Sequence, residues 1–97
     1  MIKHIVMWNI QKGLDKEEVI QKLKEKLEGL TDKIDCLIRL DLGENYNGNE
    51  TGRDVVLYSE FASKEDLATY VAHPDHVEAA AYVKTVVCDR VDVDYII

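Results

Sequence analysis

The chain contains one proline, two cysteines, one tryptophan and one phenylalanine, and nothing in it approaches the ~20 consecutive apolar residues that span a bilayer. Each shortage excludes something. A single proline rules out a proline-rich linker, and the two cysteines, Cys36 and Cys88, lie far apart with no C-x-x-C pair or zinc-ligand spacing around them. They read as reduced thiols inside the fold. Basic residues are also scarce: 12 Lys and Arg stand against 19 Asp and Glu, a formal net charge of -7. Such a surface repels phosphate backbones and anionic lipid, so neither nucleic acid nor a membrane is an expected partner. No glycine-rich phosphate loop occurs, and no nucleophile elbow surrounds Ser59 or Ser63. The first ten residues alternate and include Lys3 and His4, unlike the apolar block of a signal peptide, and a cytoplasmic protein is expected.

What is present is periodicity. Its 97 residues form one domain, 1–97, with 46% hydrophobic residues to build a single core. "MIKHIVMWNI" puts Ile2, His4, Val6, Trp8 and Ile10 on one side of a strand and Lys3, Ile5, Met7 and Asn9 on the other. Asp15 caps a helix whose apolar stripe runs through Val19, Ile20, Leu23, Leu27 and Leu30. "IDCLIRLDLG" alternates from Ile34 to Leu42 and predicts a second strand, with Ile34, Cys36, Ile38, Leu40 and Leu42 sharing a face. A polar loop, Gly43 to Arg53, leads to a third strand, Asp54 to Phe61. Ser63 caps a second helical region, which Pro74 interrupts and restarts. "CDRVDVDYII" closes the chain as a strand, with Val91, Val93, Tyr95 and Ile97 facing one way and Arg90, Asp92 and Asp94 the other.

The order β-α-β-β-α-β is that of an α+β, ferredoxin-like unit: a four-stranded antiparallel sheet with helices on one face. Its second face is left open and partly apolar. A short chain covers such a face by pairing with a copy of itself, so a homodimer through the open sheet face, with two sheets enclosing a barrel, is expected.

Chemistry concentrates in "TYVAHPDHVEAAAYV", Thr69 to Val83, which holds two of the three histidines and the proline. Tyr70 and His76 would diverge on one regular helix, but a break at Pro74 can turn them toward a common cavity, with His4 arriving from the first strand. Two imidazoles and a phenol beneath apolar cover suit general acid–base work, proton removal beside a carbonyl above all. Simpler roles compete: His73 can cap the restarted helix and His76 can donate to a backbone carbonyl. His73 and His76, with Asp75 and Glu78 beside them, lack the spacing and thiolates of a tight metal site, and no metal or cofactor is expected.

With those residues in view, "IKHIVMW", "VVLYSEFASKEDLATYVAHPDHV" and the terminal "DYI" together resemble the stress-responsive alpha/beta-barrel (Dabb) domain family over nearly the whole chain. The resemblance implies a homodimeric barrel with a cavity between each sheet and its helices. By similarity to a polyketide-cyclising plant member it further implies an intramolecular aldol condensation without cofactor. His76 would be the general acid or base, Tyr70 would position the substrate oxygen, and His4 would contact the reacting carbonyl. Val6, Trp8, Leu57, Ser59 and Phe61 would line the cavity and bind the substrate. Two other functions stay open: a non-catalytic, stress-associated dimer that binds a small ligand or a protein, and, from fold analogy, a dimeric-barrel monooxygenase.

Overall fold

A computed structural model describes all residues from Met1 to Ile97. Strand β1 (Ile2–Ile10) is followed by helix α1 (Lys16–Glu28), a 3-10 turn (Gly29–Asp32), β2 (Arg39–Glu44), β3 (Val55–Phe61), helices α2 (Lys64–Ala72) and α3 (Pro74–Val86), and β4 (Val87–Ile96). The strands form one sheet in the order β2-β3-β1-β4, and every neighbouring pair is antiparallel. This is the ferredoxin-like β-α-β-β-α-β arrangement, its second helix divided in two.

Local signals set the helix ends. The Asp15 carboxylate accepts from the Glu18 N–H at 3.2 Å and the Ser63 hydroxyl accepts from the Asp66 N–H at 3.1 Å, each satisfying a donor that the first turn would leave open. Helix α1 buries Val19, Ile20, Leu23 and Leu27, and Leu30 continues the stripe from the 3-10 turn. These meet the sheet face formed by Ile2, Val6, Trp8, Leu40, Leu42, Val55, Leu57 and Phe61.

The second strand departs from its sequence pattern. It starts at Arg39, five residues later than the alternation from Ile34 predicts. Between Leu30 and Leu37 the chain climbs in turns, with the Ile34 N–H donating to Leu30 O at 2.9 Å and the Leu37 N–H to Ile34 O at 3.1 Å. Ile34 and Leu37 are therefore both buried, although alternation put them on opposite faces, while Ile38 is 48% exposed. Spacings of three and four, which are those of a turn, coincide here with a run that also alternates. Cys36 lies in this turn region, not in a strand; both cysteines are free and partly buried.

The other sheet face carries Lys3, Ile5 and Met7 of β1 opposite Glu60, Tyr58 and Val56 of β3, and opposite Tyr95, Val93 and Val91 of β4. No helix covers it. Val91, Val93 and Tyr95 all stand exposed in the single chain. Among them the Lys3 ammonium lies 2.5 Å from the Glu60 carboxylate, which also accepts from the Tyr58 hydroxyl at 2.5 Å. Those contacts hold the Glu60 carboxyl below its usual range and the Lys3 ammonium above its own.

Candidate functional site

The break between α2 and α3 builds the site. His73 adopts an extended conformation (φ -64°, ψ 135°) before Pro74, and its Nδ1 accepts from the Asp75 N–H at 3.1 Å, capping α3. Six residues along one continuous helix would separate Tyr70 from His76 by about 120° around the axis. Across the break their rings lie 4.4 Å apart, centroid to centroid.

Tyr70 is fully buried between His76 and Phe61, whose ring centroid is 5.0 Å away. Its hydroxyl has no hydrogen-bond partner, and burial alone pushes the phenol up to about 12. No protein group satisfies this hydroxyl, so it is free to bond to a molecule in the cavity beside it.

His76 is oriented by the backbone. Its Nδ1 lies 3.0 Å from the carbonyl oxygen of Val71. A carbonyl only accepts, so Nδ1 carries the hydrogen and Nε2 keeps its lone pair. Burial lowers the imidazole below its ordinary value; the Val71 bond opposes this, while His4, His73 and Lys84 add to the lowering. A neutral imidazole with a free Nε2 at neutral pH is a base ready for use.

His4 arrives from β1, largely buried, and its Nδ1 pairs with the carboxylate of Asp94. Nothing in the sequence singles out Asp94 as a member of the site. Register explains both facts: β1 and β4 are antiparallel with His4 opposite Asp94, so their side chains share the helix-side face. Val91, Val93 and Tyr95 of β4 face the open side, which leaves Asp92 and Asp94 on the side of the histidines.

His4, Tyr70 and His76 border a cavity of about 830 Å³ between α3 and the sheet, mostly apolar in its wall. His4, Tyr70 and His76 line one end, and Val6, Trp8 and Leu57 form part of the floor. The Trp8 indole is a wall of this cavity, not its filling. Ser59 and Phe61, which the resemblance assigned to substrate binding, do not reach it. Both are fully buried in the layer behind: the Ser59 hydroxyl donates to the His4 carbonyl at 3.2 Å, and Phe61 supports the Tyr70 ring. His73, engaged as a cap, also lies outside the cavity. No three His, Cys, Asp or Glu side chains converge as metal ligands.

Toward its other end the cavity passes the start of β4, where the register with β1 shifts between Met7 and Asn9. Asp89 takes a left-handed conformation there (φ 56°), which aspartate tolerates better than most residues. Its carboxylate accepts from the Asn9 amide at 3.0 Å and its carbonyl from the Arg53 guanidinium at 2.8 Å. This bulge brings Cys88, Asp89 and Arg90 to the cavity rim opposite Lys84 of α3.

Comparison with known proteins agrees with this architecture. The family model for the stress responsive A/B barrel domain matches residues 2–97. A stress-response A/B barrel domain-containing protein of Arabidopsis thaliana is 31% identical over 92 residues, 94% of this chain. The chain spans about a third of that relative, 34% of its length. A dimeric protein of unknown function and ferredoxin-like fold from Bacteroides fragilis is 32% identical and superposes with a TM-score of 0.89, covering 99% of this chain and 95% of its own. A hydroxynitrile lyase from Passiflora edulis, 18% identical, shares the fold with a TM-score of 0.87 over 99% of this chain and 92% of its own. No helix of the chain is long and apolar enough to cross a membrane.

Proposed function

The chain belongs to the stress-responsive A/B barrel family, and from that premise and the cavity's geometry we propose that it is a cofactor-free acid–base catalyst acting on a small carbonyl compound. The observation that carries this reading is the Tyr70 hydroxyl, buried without a partner and packed against an imidazole whose free nitrogen is Nε2. His76 Nε2 takes a proton from the carbon beside a carbonyl. The released electron pair moves onto the carbonyl oxygen, where the Tyr70 O–H donates to the enolate. In a compound with a second carbonyl, the enolate carbon attacks it, one C–C bond forms, and the new alkoxide takes the proton back from the His76 imidazolium. His4, held by Asp94, contacts the carbonyl from β1. An aldol cyclisation of a polyketide-like compound is the net result. The same base and phenol suit removal of a cyanohydrin proton, the reaction class for which the Passiflora edulis neighbour is named.

The acting species is a homodimer, in keeping with the Bacteroides fragilis relative described as dimeric, and in this reading it closes through the open sheet face. The apolar row Val91, Val93 and Tyr95 supports this, because an exposed apolar sheet face is where a second copy gains most.

Histidine titration by NMR, in wild type and in Tyr70→Phe, with β-keto compounds and a cyanohydrin added to each, tests the site. His76 is expected to titrate below the ordinary imidazole value of about 6.5 and to respond to a ligand, with the response weakened in Tyr70→Phe. A His76 ring that no compound perturbs would leave a structural helix join and favour the non-catalytic dimer.

A further inference from the structure

The cavity has two chemically different ends. His4, Tyr70 and His76 occupy one, and Lys84 and Arg90 the other. Helix α3 carries both His76 and Lys84, eight residues and so about 12 Å apart along its axis. Strand β1 gives the same span independently, because His4 and Trp8 are four residues and so about 13 Å apart. Between the ends the wall is apolar, with Val6, Leu57, Ala80 and Val83. Asp92 pairs with Arg90, and the Asp89 carboxylate, hydrogen-bonded only to neutral donors, keeps its charge at the rim, which leaves Lys84 as the cation there without an ion-pair partner. Lys84 is exposed at this end, and most lysines of the chain likewise have no ion-pair partner.

From this polarity, and resting on the acid–base reading of the histidine end, we infer that the substrate is an elongated amphipathic carbonyl compound whose far end is anionic. Its carbonyl lies at His76 and Tyr70, an apolar stretch lies over Val6 and Leu57, and a carboxylate or phosphate meets Lys84 with Arg90 beside it. Lys84 acts as a specificity residue: it fixes which way round the molecule enters, and so which carbonyl reaches the base.

The test compares three probes of equal length in the full chain: oxodecanoate with its ketone next to the chain terminus, the corresponding primary amide, and the corresponding phosphate monoester. Binding is read from Trp8 fluorescence and from the His76 ring resonances. Oxodecanoate is expected to bind about fivefold more tightly than the amide at low salt, the range of a solvent-facing ion pair. That preference should disappear in Lys84→Met, return in Lys84→Arg, and shrink as salt screens the pair. A phosphate ester that binds more tightly still makes phosphate the anion; one weaker than oxodecanoate makes it a carboxylate. Equal binding of amide and anions, or a preference that survives Lys84→Met, overturns the inference while leaving the acid–base site standing. If no probe moves the His76 ring, the inference and the reading beneath it fall together.

Discussion

Tyr70 is the residue at which stability and function pull apart. Its ring fills the core between Phe61 and His76, while its hydroxyl finds nothing to bond. Tyr70→Phe keeps the ring and deletes the orphan, so the variant should melt at the wild-type temperature or a few degrees higher. Turnover of any substrate should fall about a hundredfold, as when one oxyanion donor is removed. A variant that melts lower and turns over normally would make the hydroxyl structural. Acid will weaken the fold through the neighbouring ring: His76 resists protonation when folded but accepts a proton near pH 6.5 when unfolded, so the melting point should decline as pH falls below about 6.5. At this scale the sequence was informative about identity and less so about relation. Residue type and family resemblance picked out His4, Tyr70 and His76, which the fold brings to one cavity, and the proline after it gave the capping role of His73. Asp94 was not, because its meaning depends on which residue of another strand it faces. Ser59 and Phe61 share the cavity-side face with Leu57, but alternation names a face and not the depth at which a neighbour covers it.

The elements show where periodicity is trustworthy. The starts of α1 and α2 were readable from their capping side chains, since that signal arises within one turn of chain. Strand β2 was not, because Ile34 and Leu37 satisfy a turn while the run through them also alternates. The two patterns make opposite statements about Leu37 and Ile38. Leu37→Ala should cost about 2–5 kcal/mol by opening a core cavity, and Ile38→Ala should stay within about 1 kcal/mol because half its surface is already in water. Urea denaturation of the two variants compares them directly; similar losses would restore Ile38 to the core. The joint between α2 and α3 was legible in kind, since a lone proline in a helical stretch is hard to read otherwise. The closeness of the Tyr70 and His76 rings that results from it was not, because that distance depends on the angle between two helices.

For the whole molecule, the order of elements followed from signals that each segment carries alone, and the fold was correspondingly readable. The role of the open face rests on a surface that matters only between copies. Val93 lies at the middle of the apolar row on β4, opposite Ile5 of β1. Val93→Asp should shift the protein from dimer to monomer at micromolar concentration, measured by sedimentation velocity, because an unpaired carboxylate would be buried in each copy. A wild-type chain that sediments as a monomer would remove the barrel. Lys3, Glu60 and Tyr58 lie on the same face and already satisfy one another, so dimerisation would cover their charges without separating them from their partners.

The pairing of His4 with Asp94 joins residues 90 positions apart, across the seam between the first strand and the last. β4 is an edge strand with a neighbour on one side only, and most of its residues are exposed. His4 therefore has its carboxylate partner only while β4 is paired with β1. A polypeptide still being synthesised, or one whose tail has peeled away, keeps most of its hydrophobic interior but lacks a complete pocket. A bound compound would act as a clasp on that tail, so occupancy and the closure of the last strand form one linked equilibrium.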